Sequence, residues 1–284
     1  MILRYSLVFI MLALTITSSY SQSTSQCSSI LDEMLLSADN VKSLRYKLKQ
    51  YEMVEDELIY GEQDVKLQLQ PLMIYMFIHA PNQGAEVLWK EGENNGDALV
   101  NPNAFPYVNL NLDPYGLILR RNQHHTIFSS GFGFLASIIR AGIKKAGADF
   151  DKYFRYEGDI TWEGRECYQI VIEYDHYTWM PYEVKAGEDL ISIAKDNKIC
   201  DYILIERNDG VDDFDDVKVG QVIQIPNVYA KKNILYIDKK LKLPIRMEMY
   251  DDKGFFERYE ISQIEVNPVI PPEEFSENYK DYGY

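Results

Sequence analysis

The feature that most constrains the fold is an alternation of apolar and polar side chains that recurs along most of the chain. From residue 44 to residue 49 it reads Leu44, Arg45, Tyr46, Lys47, Leu48 and Lys49. Alternating or aromatic-rich runs return at 67–79, 87–90, 107–112, 153–156, 168–174 and 234–266, and turn sequences such as Asp113-Pro114-Tyr115-Gly116 separate them. Because successive side chains of a strand point to opposite faces, the pattern predicts an antiparallel sheet with one buried face.

Two segments have helical spacing instead. The first follows Ser28, a residue that can cap a helix, and its apolar positions are Ile30, Leu31, Met34 and Leu35. The second lies between strands, and one of its faces carries Phe132, Leu135, Ile138, Ile139 and Ile143. Many short strands with few helices predict an α+β fold, in which a strongly curved antiparallel sheet forms a half-barrel around a helix.

The apolar face of the second helix leaves two possibilities open. It either fills the groove of the half-barrel completely, or it leaves room for an acyl chain or another apolar ligand. The sequence therefore predicts an apolar groove formed by Phe132, Leu135, Ile138, Ile139 and Ile143, without deciding whether a ligand enters it.

Residues 182–226 interrupt the strand pattern. A short strand with Val184 leads into a glycine turn at Gly187, two helices follow, and a second strand ends at Pro226. The spacing Tyr182-x-Val184-x-x-Gly187-x-x-Leu190-x-x-Ile193-Ala194, with Asn208 and then Gly220-Gln221-x-Ile223-x-Ile225-Pro226, resembles a LysM domain. The resemblance predicts an inserted βααβ module at residues 181–230.

LysM domains bind glycans that contain N-acetylglucosamine, such as peptidoglycan, in a shallow groove between two loops. Carried over by position, the resemblance implies a glycan site at Gly187, Glu188, Asp189, Leu190, Ile191, Asn208, Asp209 and Gly210. It implies no catalysis. A purely structural or protein-docking module is the alternative interpretation of the same segment.

The remaining residues, 28–180 and 231–284, are predicted to form one discontinuous domain. The stretch ILYIDKKLKLPIRMEMYDDKGFFERYEISQIEVNP and the early helix followed by LRYKLKQYE resemble the periplasmic lipoprotein-carrier fold of the LolA type, and more closely an uncharacterised envelope family of that shape. Carriers of that type hold acyl chains in a half-open barrel. The resemblance therefore implies a lipid or lipoprotein as a possible partner.

The N-terminus predicts export. Residues 1–21 carry one charge, Arg4, then an apolar run from Leu7 to Ile16, then small polar residues, which is the order of a cleavable signal peptide. The apolar run is shorter than the ~20 residues of a spanning helix, and no later run reaches that length. The sequence thus predicts a protein of the periplasm or cell envelope without a transmembrane segment. Its net charge of −15 disfavours nucleic acid as a partner.

Few residues suggest chemistry. His124-His125, with Asp113 or His79, could form a metal site or an acid/base pair, but neighbouring residues of a strand cannot face one ion unless the pair lies in a loop. The aspartates at 209–216 lack the spacing of a calcium loop. Three cysteines, an odd number, exclude a complete disulfide framework, and Cys167 and Cys200 are predicted to be buried thiols. The sequence therefore predicts no catalytic residue, no metal and no cofactor.

These observations favour an exported, non-enzymatic binding protein of the cell envelope. Its half-barrel would hold an acyl chain or another apolar ligand, and its LysM module would bind peptidoglycan. A structural or interaction protein with a self-filled groove is the second hypothesis. An envelope hydrolase that uses His124 and His125 is the third.

Overall fold

Eleven strands form one antiparallel sheet in the computed structural model, which describes residues 26–105 and 107–284. In chain order the strands of the sheet are β1 (Ser43–Val54), β2 (Glu57–Leu69), β3 (Leu72–Ala80), β4 (Glu86–Lys90), β5 (Ala98–Asn101), β6 (Leu110–Leu112), β7 (Phe154–Trp162), β8 (Arg165–Glu173), β11 (Lys232–Asp238), β12 (Pro244–Tyr250) and β13 (Phe255–Val266). Their spatial order is β6-β5-β4-β3-β2-β1-β13-β12-β11-β8-β7. The predicted fold class is confirmed, while the predicted signal peptide at 1–21 lies outside the described residues.

Six α-helices accompany the sheet in the described part of the chain. They are α1 (26–39), α2 (Leu117–Arg120), α3 (Gly133–Ala146), α4 (Phe150–Tyr153), α5 (Leu190–Asn197) and α6 (Tyr202–Glu206). Both helices predicted from apolar spacing are present as α1 and α3. None of the helices between residues 26 and 284 that the structure describes is long and apolar enough to span a membrane.

The alternation in β1 determines which face of the sheet is buried. Leu44 and Tyr46 are 0% and 5% exposed and lie on the inner face. Arg45 and Lys47 lie on the outer face, where they form ion pairs with Glu274 and Glu62. Burial of apolar side chains on one face holds the sheet against α3.

Helix α3 packs on the inner face of the sheet. Phe132, Leu135, Ile138 and Ile139 are each less than 10% exposed, whereas Ile143 is only partly buried. At the C-terminal end of the helix Gly142 allows a close approach, because a Cβ atom there would lie 2.5 Å from the Tyr174 hydroxyl oxygen. The helix is therefore held between the inner face and the segment that follows β8.

The inserted segment has its own two-stranded sheet. Strands β9 (Trp179–Glu183) and β10 (Val222–Pro226) pair antiparallel, and α5 and α6 lie between them in sequence. The Leu190 N–H donates a 2.9 Å hydrogen bond to the Phe214 carbonyl, which joins the two loops of the module. The predicted βααβ order is present.

The C-terminal segment lies across the outer face of the sheet. The Glu274 carboxylate accepts hydrogen bonds from Arg45 (2.7 and 2.8 Å) and from Lys66 (2.6 Å). The Tyr282 ring stacks on Tyr75 with centroids 3.8 Å apart. Glu274 is thus the main charged attachment point of this segment.

Glu274 should make the stability depend on pH in the acid range. Hydrogen bonds from Arg45 and Lys66 lower the pKa of Glu274 to about 2, so its stabilising contribution is complete above the ordinary carboxyl pKa and is lost as pH falls towards 2. We expect Glu274→Gln to lower the free energy of unfolding at pH 7, and the difference from wild type to shrink below pH 4. Urea unfolding at pH 7 and at a pH below 4 measures this difference in the free energy of unfolding. The control is Glu273→Gln, at an exposed neighbouring position. An equal loss for both variants at pH 7 would contradict the assignment.

Candidate functional site

A cavity of about 110 Å³ remains between the inner face of the sheet and α3. Most of its lining is apolar and comes from the strands, from α3 and from the loop before it. The apolar lining residues are Leu48, Met76, Ile127, Phe134, Leu135, Ile138, Met247, Met249 and Ile261. The cavity is a mostly apolar space that the helix leaves unfilled.

One end of the cavity is polar. The inward positions of β1 change from leucine to Gln50 and Glu52, and Gln63, Glu257 and Tyr259 lie beside them on β2 and β13. Of these, Glu52 and Glu257 are 2% and 0% exposed. Buried carboxylates need hydrogen-bond partners or counter-charges, and the loop before α3 supplies them.

His124 is the centre of the polar end. Its Nδ1 lies 2.9 Å from Glu257 Oε2, its Nε2 lies 3.0 Å from the Met53 carbonyl oxygen, and its backbone N–H donates to Glu52 (3.0 Å). The Tyr259 hydroxyl bridges Glu52 and Glu257. Strands β1 and β13 and the loop after α2 therefore meet at one buried imidazole.

His125 reaches the same carboxylate from the cavity side. Its Nε2 lies 3.3 Å from Glu257 Oε2 and 3.0 Å from the Tyr229 hydroxyl, which itself donates to Glu257. Both histidines meet Glu257 because they lie in a loop and not in a strand. The pair therefore has the loop arrangement, in which both side chains can face one group, and not the strand arrangement, in which they would face apart.

Charges in this cluster shift the pKa values of its members. Burial alone would lower the pKa of His124, but its hydrogen bond to Glu257 and the charges of Glu52 and Glu257 outweigh burial and raise that pKa to about 9. Burial opposes ionisation of Glu257, but the neighbouring His125 and His124 hold its pKa well below the ordinary value. Burial, together with the carboxylates, raises the pKa of the Tyr259 hydroxyl. The cluster is therefore a pair of carboxylates held beside an imidazolium.

Arg120 connects the cluster to the inserted module. Its guanidinium, 1% exposed, forms two hydrogen bonds with Asp201 (2.6 and 2.9 Å), donates to the His124 carbonyl and lies 4.3 Å from the centre of the Phe214 ring. Further contacts between module and host are the 2.9 Å hydrogen bonds from the Glu55 N–H to Glu206 and from Arg207 to Asp251. The module is therefore docked on the half-barrel.

A larger groove of about 520 Å³ lies between the module and the half-barrel. Its sheet side is apolar, with Leu44, Leu67, Leu69, Leu72 and Ile74, and its module side includes Ile191, Ala194, Lys195 and Lys198. His125, Thr126, residues 129–131 and Phe134 border both this groove and the smaller cavity, whereas Ile127 lines only the cavity and Phe128 only the groove. The two spaces therefore lie on opposite sides of one loop.

The residues predicted to form the apolar groove separate into several environments. Leu135 and Ile138 line the cavity, and Phe132 lines the larger groove. Ile139 belongs to the packed core and borders a smaller space beside β8, while Ile143 lines none of these three spaces. Phe134, which the helical pattern did not indicate, borders both the cavity and the groove.

The residues predicted to bind glycan lie on two loops that the Leu190–Phe214 hydrogen bond brings together. Gly187, Asp209 and Gly210 are exposed, Glu188, Asp189, Ile191 and Asn208 are partly buried, and Leu190 is 0% exposed. Asp189 caps α5 through the Ser192 N–H, and Asn208 bonds to the backbone of Leu204 and Gln224. These two side chains therefore hold the module together.

The other candidate residues have structural partners. His79 lies 2.7 Å from Asp64, and Asp113 accepts a hydrogen bond from the Tyr115 N–H, so neither joins His124. Cys27, Cys167 and Cys200 are free and buried. Burial raises the pKa of the Cys167 thiol to about 11 and that of the Cys200 thiol well above its usual value, which fits the inert thiols predicted at these two positions. Burial also raises the pKa of the Cys27 thiol to about 12.

Comparisons with solved structures find distant similarities. A LolA superfamily protein from Nitrosomonas europaea shares 11% identity at a TM-score of 0.34, with 89% of this chain and 98% of that chain covered. The Mycobacterium tuberculosis lipoprotein LppX shares 11% identity at a TM-score of 0.41, with 86% of this chain and 97% of that chain covered. A DUF1329 family protein from Desulfovibrio piger shares 9% identity at a TM-score of 0.35, with 88% of this chain and 96% of that chain covered. The strand pairing above, and not these scores, defines the fold.

Two family models match the chain. Residues 182–226 match the LysM domain, which confirms that resemblance. Residues 41–183 match the model described as protein of unknown function (DUF1571), and no curated protein is similar in sequence. The DUF1571 match covers half of the 284 residues, from β1 to β9. This chain therefore belongs to the DUF1571 family and carries a LysM domain after the matched region.

Proposed function

We propose that this protein is a non-catalytic binding protein of the cell envelope, and that its half-barrel holds a lipid acyl chain or a similar apolar ligand. The observation that carries the proposal is the apolar space that α3 leaves on the inner face. The groove of about 520 Å³ falls within the ~300–1,000 Å³ of typical ligand pockets. The cavity of about 110 Å³ is smaller than the roughly 150 Å³ that accommodates benzene in an engineered cavity.

The two volumes suggest different occupants. The groove has room for an acyl chain along Leu69, Leu72 and Ile191, which are only partly buried, and contact with such walls favours apolar groups by roughly 25 cal/mol per Å² buried. The cavity has room only for a compact group. Lys195 and Lys198 border the groove, so a carboxylate or phosphate head would find cations there in an otherwise acidic protein.

Filling the groove should abolish ligand binding. Ser137 is a half-buried α3 residue that borders the groove, and Ser137→Trp places an indole where the chain would lie. We expect a fluorescent fatty-acid probe to bind the wild type and to bind this variant at least about tenfold more weakly, a loss of ~1.4 kcal/mol. Lys144→Trp, an exposed position of the same helix, is the control. Equal probe binding by all three proteins would contradict the proposal.

We further propose that the LysM module binds N-acetylglucosamine-containing glycan and retains the protein at peptidoglycan. The two loops present exposed short polar residues and glycines, which suit a neutral sugar. Asp189 and Asn208 are poor positions for a test, because they cap a helix and hold β10.

Asp209 offers a cleaner test, because it is exposed on the loop that follows α6. We expect Asp209→Trp to reduce co-sedimentation of the protein with purified peptidoglycan several-fold by obstructing the groove. Asp215→Trp, on the exposed part of the same loop, is the matched control. If the wild type sediments with peptidoglycan no more than an unrelated acidic protein does, the glycan proposal is wrong. The alternative is then a module that serves only to dock on the half-barrel.

A further inference from the structure

The cluster at the polar end of the cavity has the composition of a metal site. One donor atom each from Glu52, His124 and Glu257 lies within 4.8 Å of the other two, and all three side chains are buried. They come from β1, from the loop after α2 and from β13, which are far apart in sequence. One imidazole and two carboxylates therefore come together only through the tertiary fold, and not through their spacing in a single helix or strand.

The distances fit a small divalent ion. Bonds of about 2.1 Å to nitrogen and oxygen separate neighbouring ligands of an octahedral ion by about 3.0 Å. His124 Nδ1 lies 2.9 Å from Glu257 Oε2, which matches that spacing. The Glu52 donor lies within 4.8 Å of the other two, so a movement of the Glu52 carboxylate towards them completes the set around one ion.

Hydrogen bonds with neighbouring groups fix the orientation of the His124 ring and of the Glu52 carboxylate, as is usual for metal ligands. The Met53 carbonyl can only accept a hydrogen bond, so the His124 nitrogen 3.0 Å from it, Nε2, carries hydrogen. Nδ1 then faces the Glu257 carboxylate, 2.9 Å away. Metal-binding histidines commonly donate their second ring N–H to a backbone carbonyl in this way. Glu52 is held in turn by the His124 backbone N–H and by Tyr259.

Charge and access favour the same conclusion. Without an ion, one imidazolium offsets only one of the two carboxylates, which are 2% and 0% exposed. A dication that displaces the Nδ1 proton and leaves a neutral imidazole would balance both carboxylates. Glu52, Glu257 and His125 also border the cavity, so a coordination position can open on that side. His125 Nε2, 3.3 Å from Glu257 Oε2, is a further donor within reach.

We propose that Glu52, His124 and Glu257 bind a divalent transition-metal ion, with an open position towards the cavity. An imidazole with two carboxylates suits Mn²⁺, Fe²⁺ or Zn²⁺ better than Mg²⁺ or Ca²⁺, which prefer oxygen ligands alone. This site does not depend on the ligand proposed for the groove, which is lined by other residues.

The test uses the full chain after removal of metals with a chelator. We expect isothermal titration with Zn²⁺ and with Mn²⁺ to show one bound ion per chain, and X-ray absorption of the zinc-loaded wild type to show an oxygen-rich shell with imidazole. Glu257→Gln and Glu52→Gln should each weaken binding at least tenfold. His79→Gln, which removes the exposed pair with Asp64, should leave binding unchanged.

The outcomes separate the proposal from a simple hydrogen-bonded cluster. If the wild type binds no ion, or if both glutamine variants fold and bind as the wild type does, the proposal is wrong. A zinc spectrum without imidazole would also overturn it, and because that spectrum requires only the wild type, a variant that fails to fold does not prevent the decision.

Discussion

We expect Arg120→Met to lower the free energy of unfolding by about 3–5 kcal/mol, since removing one partner of a buried ion pair leaves the other charge uncompensated. Arg120 is 1% exposed and satisfies both carboxylate oxygens of Asp201. The substitution keeps most of the side-chain volume, so the loss reports the broken ion pair more than an empty space.

The matched control is Arg140→Met, because Arg140 also pairs with an aspartate, Asp39, but at the surface, with side chains 44% and 57% exposed. An exposed pair contributes about 0–1 kcal/mol. Urea unfolding of the three proteins measures both effects. A loss for Arg120→Met no larger than that for Arg140→Met would show that the module does not depend on this pair.

This prediction concerns how the LysM domain is attached. A module with adjacent ends, inserted between two strands, could be tethered loosely or docked firmly, and the sequence does not distinguish these arrangements. The contact between Arg120 and Asp201 lies directly beside His124, whose carbonyl accepts from the same guanidinium. The module therefore supports the loop that borders both the cavity and the groove.

The second large effect is expected at the centre of α3. Ile139 is 2% exposed and packs in the main core, so Ile139→Ala should lower the free energy of unfolding by about 2–5 kcal/mol. Leu36→Ala on α1, where the side chain is 63% exposed, should change it by less than about 0.5 kcal/mol. Urea unfolding measures both, and similar small changes would mean that α3 is not packed as core.

A large loss of stability in Ile139→Ala is compatible with a half-barrel that binds an apolar ligand. The helix uses one part of its apolar face for packing and another part, with Leu135 and Phe134, for the wall of a cavity. The sequence left open whether α3 fills the groove or leaves room for a ligand, because apolar spacing shows which face of a helix is buried but not whether the space opposite is filled. Packing density depends on side chains from strands distant in sequence.

The polar end of the cavity shows a similar limit of sequence reasoning. The alternation in β1 correctly placed Leu44 and Tyr46 on the inner face, and continuing the same count places Gln50 and Glu52 inward as well. The inward position of Gln50 and Glu52 could therefore have been predicted from the sequence. Their closeness to Glu257 could not, because it depends on the pairing of β1 with β13, whose residues lie some two hundred positions further along the chain. The position of His124 depended on a loop, for which period-two counting gives no answer.

Native mass spectrometry of the protein purified from the cells that naturally produce it tests the central claim most directly, because it detects a bound ligand without choosing a probe. The account predicts that wild type and Lys144→Trp retain a mass that corresponds to a lipid or another acyl compound, released on gentle activation, and that Ser137→Trp, with its groove filled, carries none. An empty wild type under conditions that preserve known lipid complexes, or equal ligand on Ser137→Trp, would contradict it.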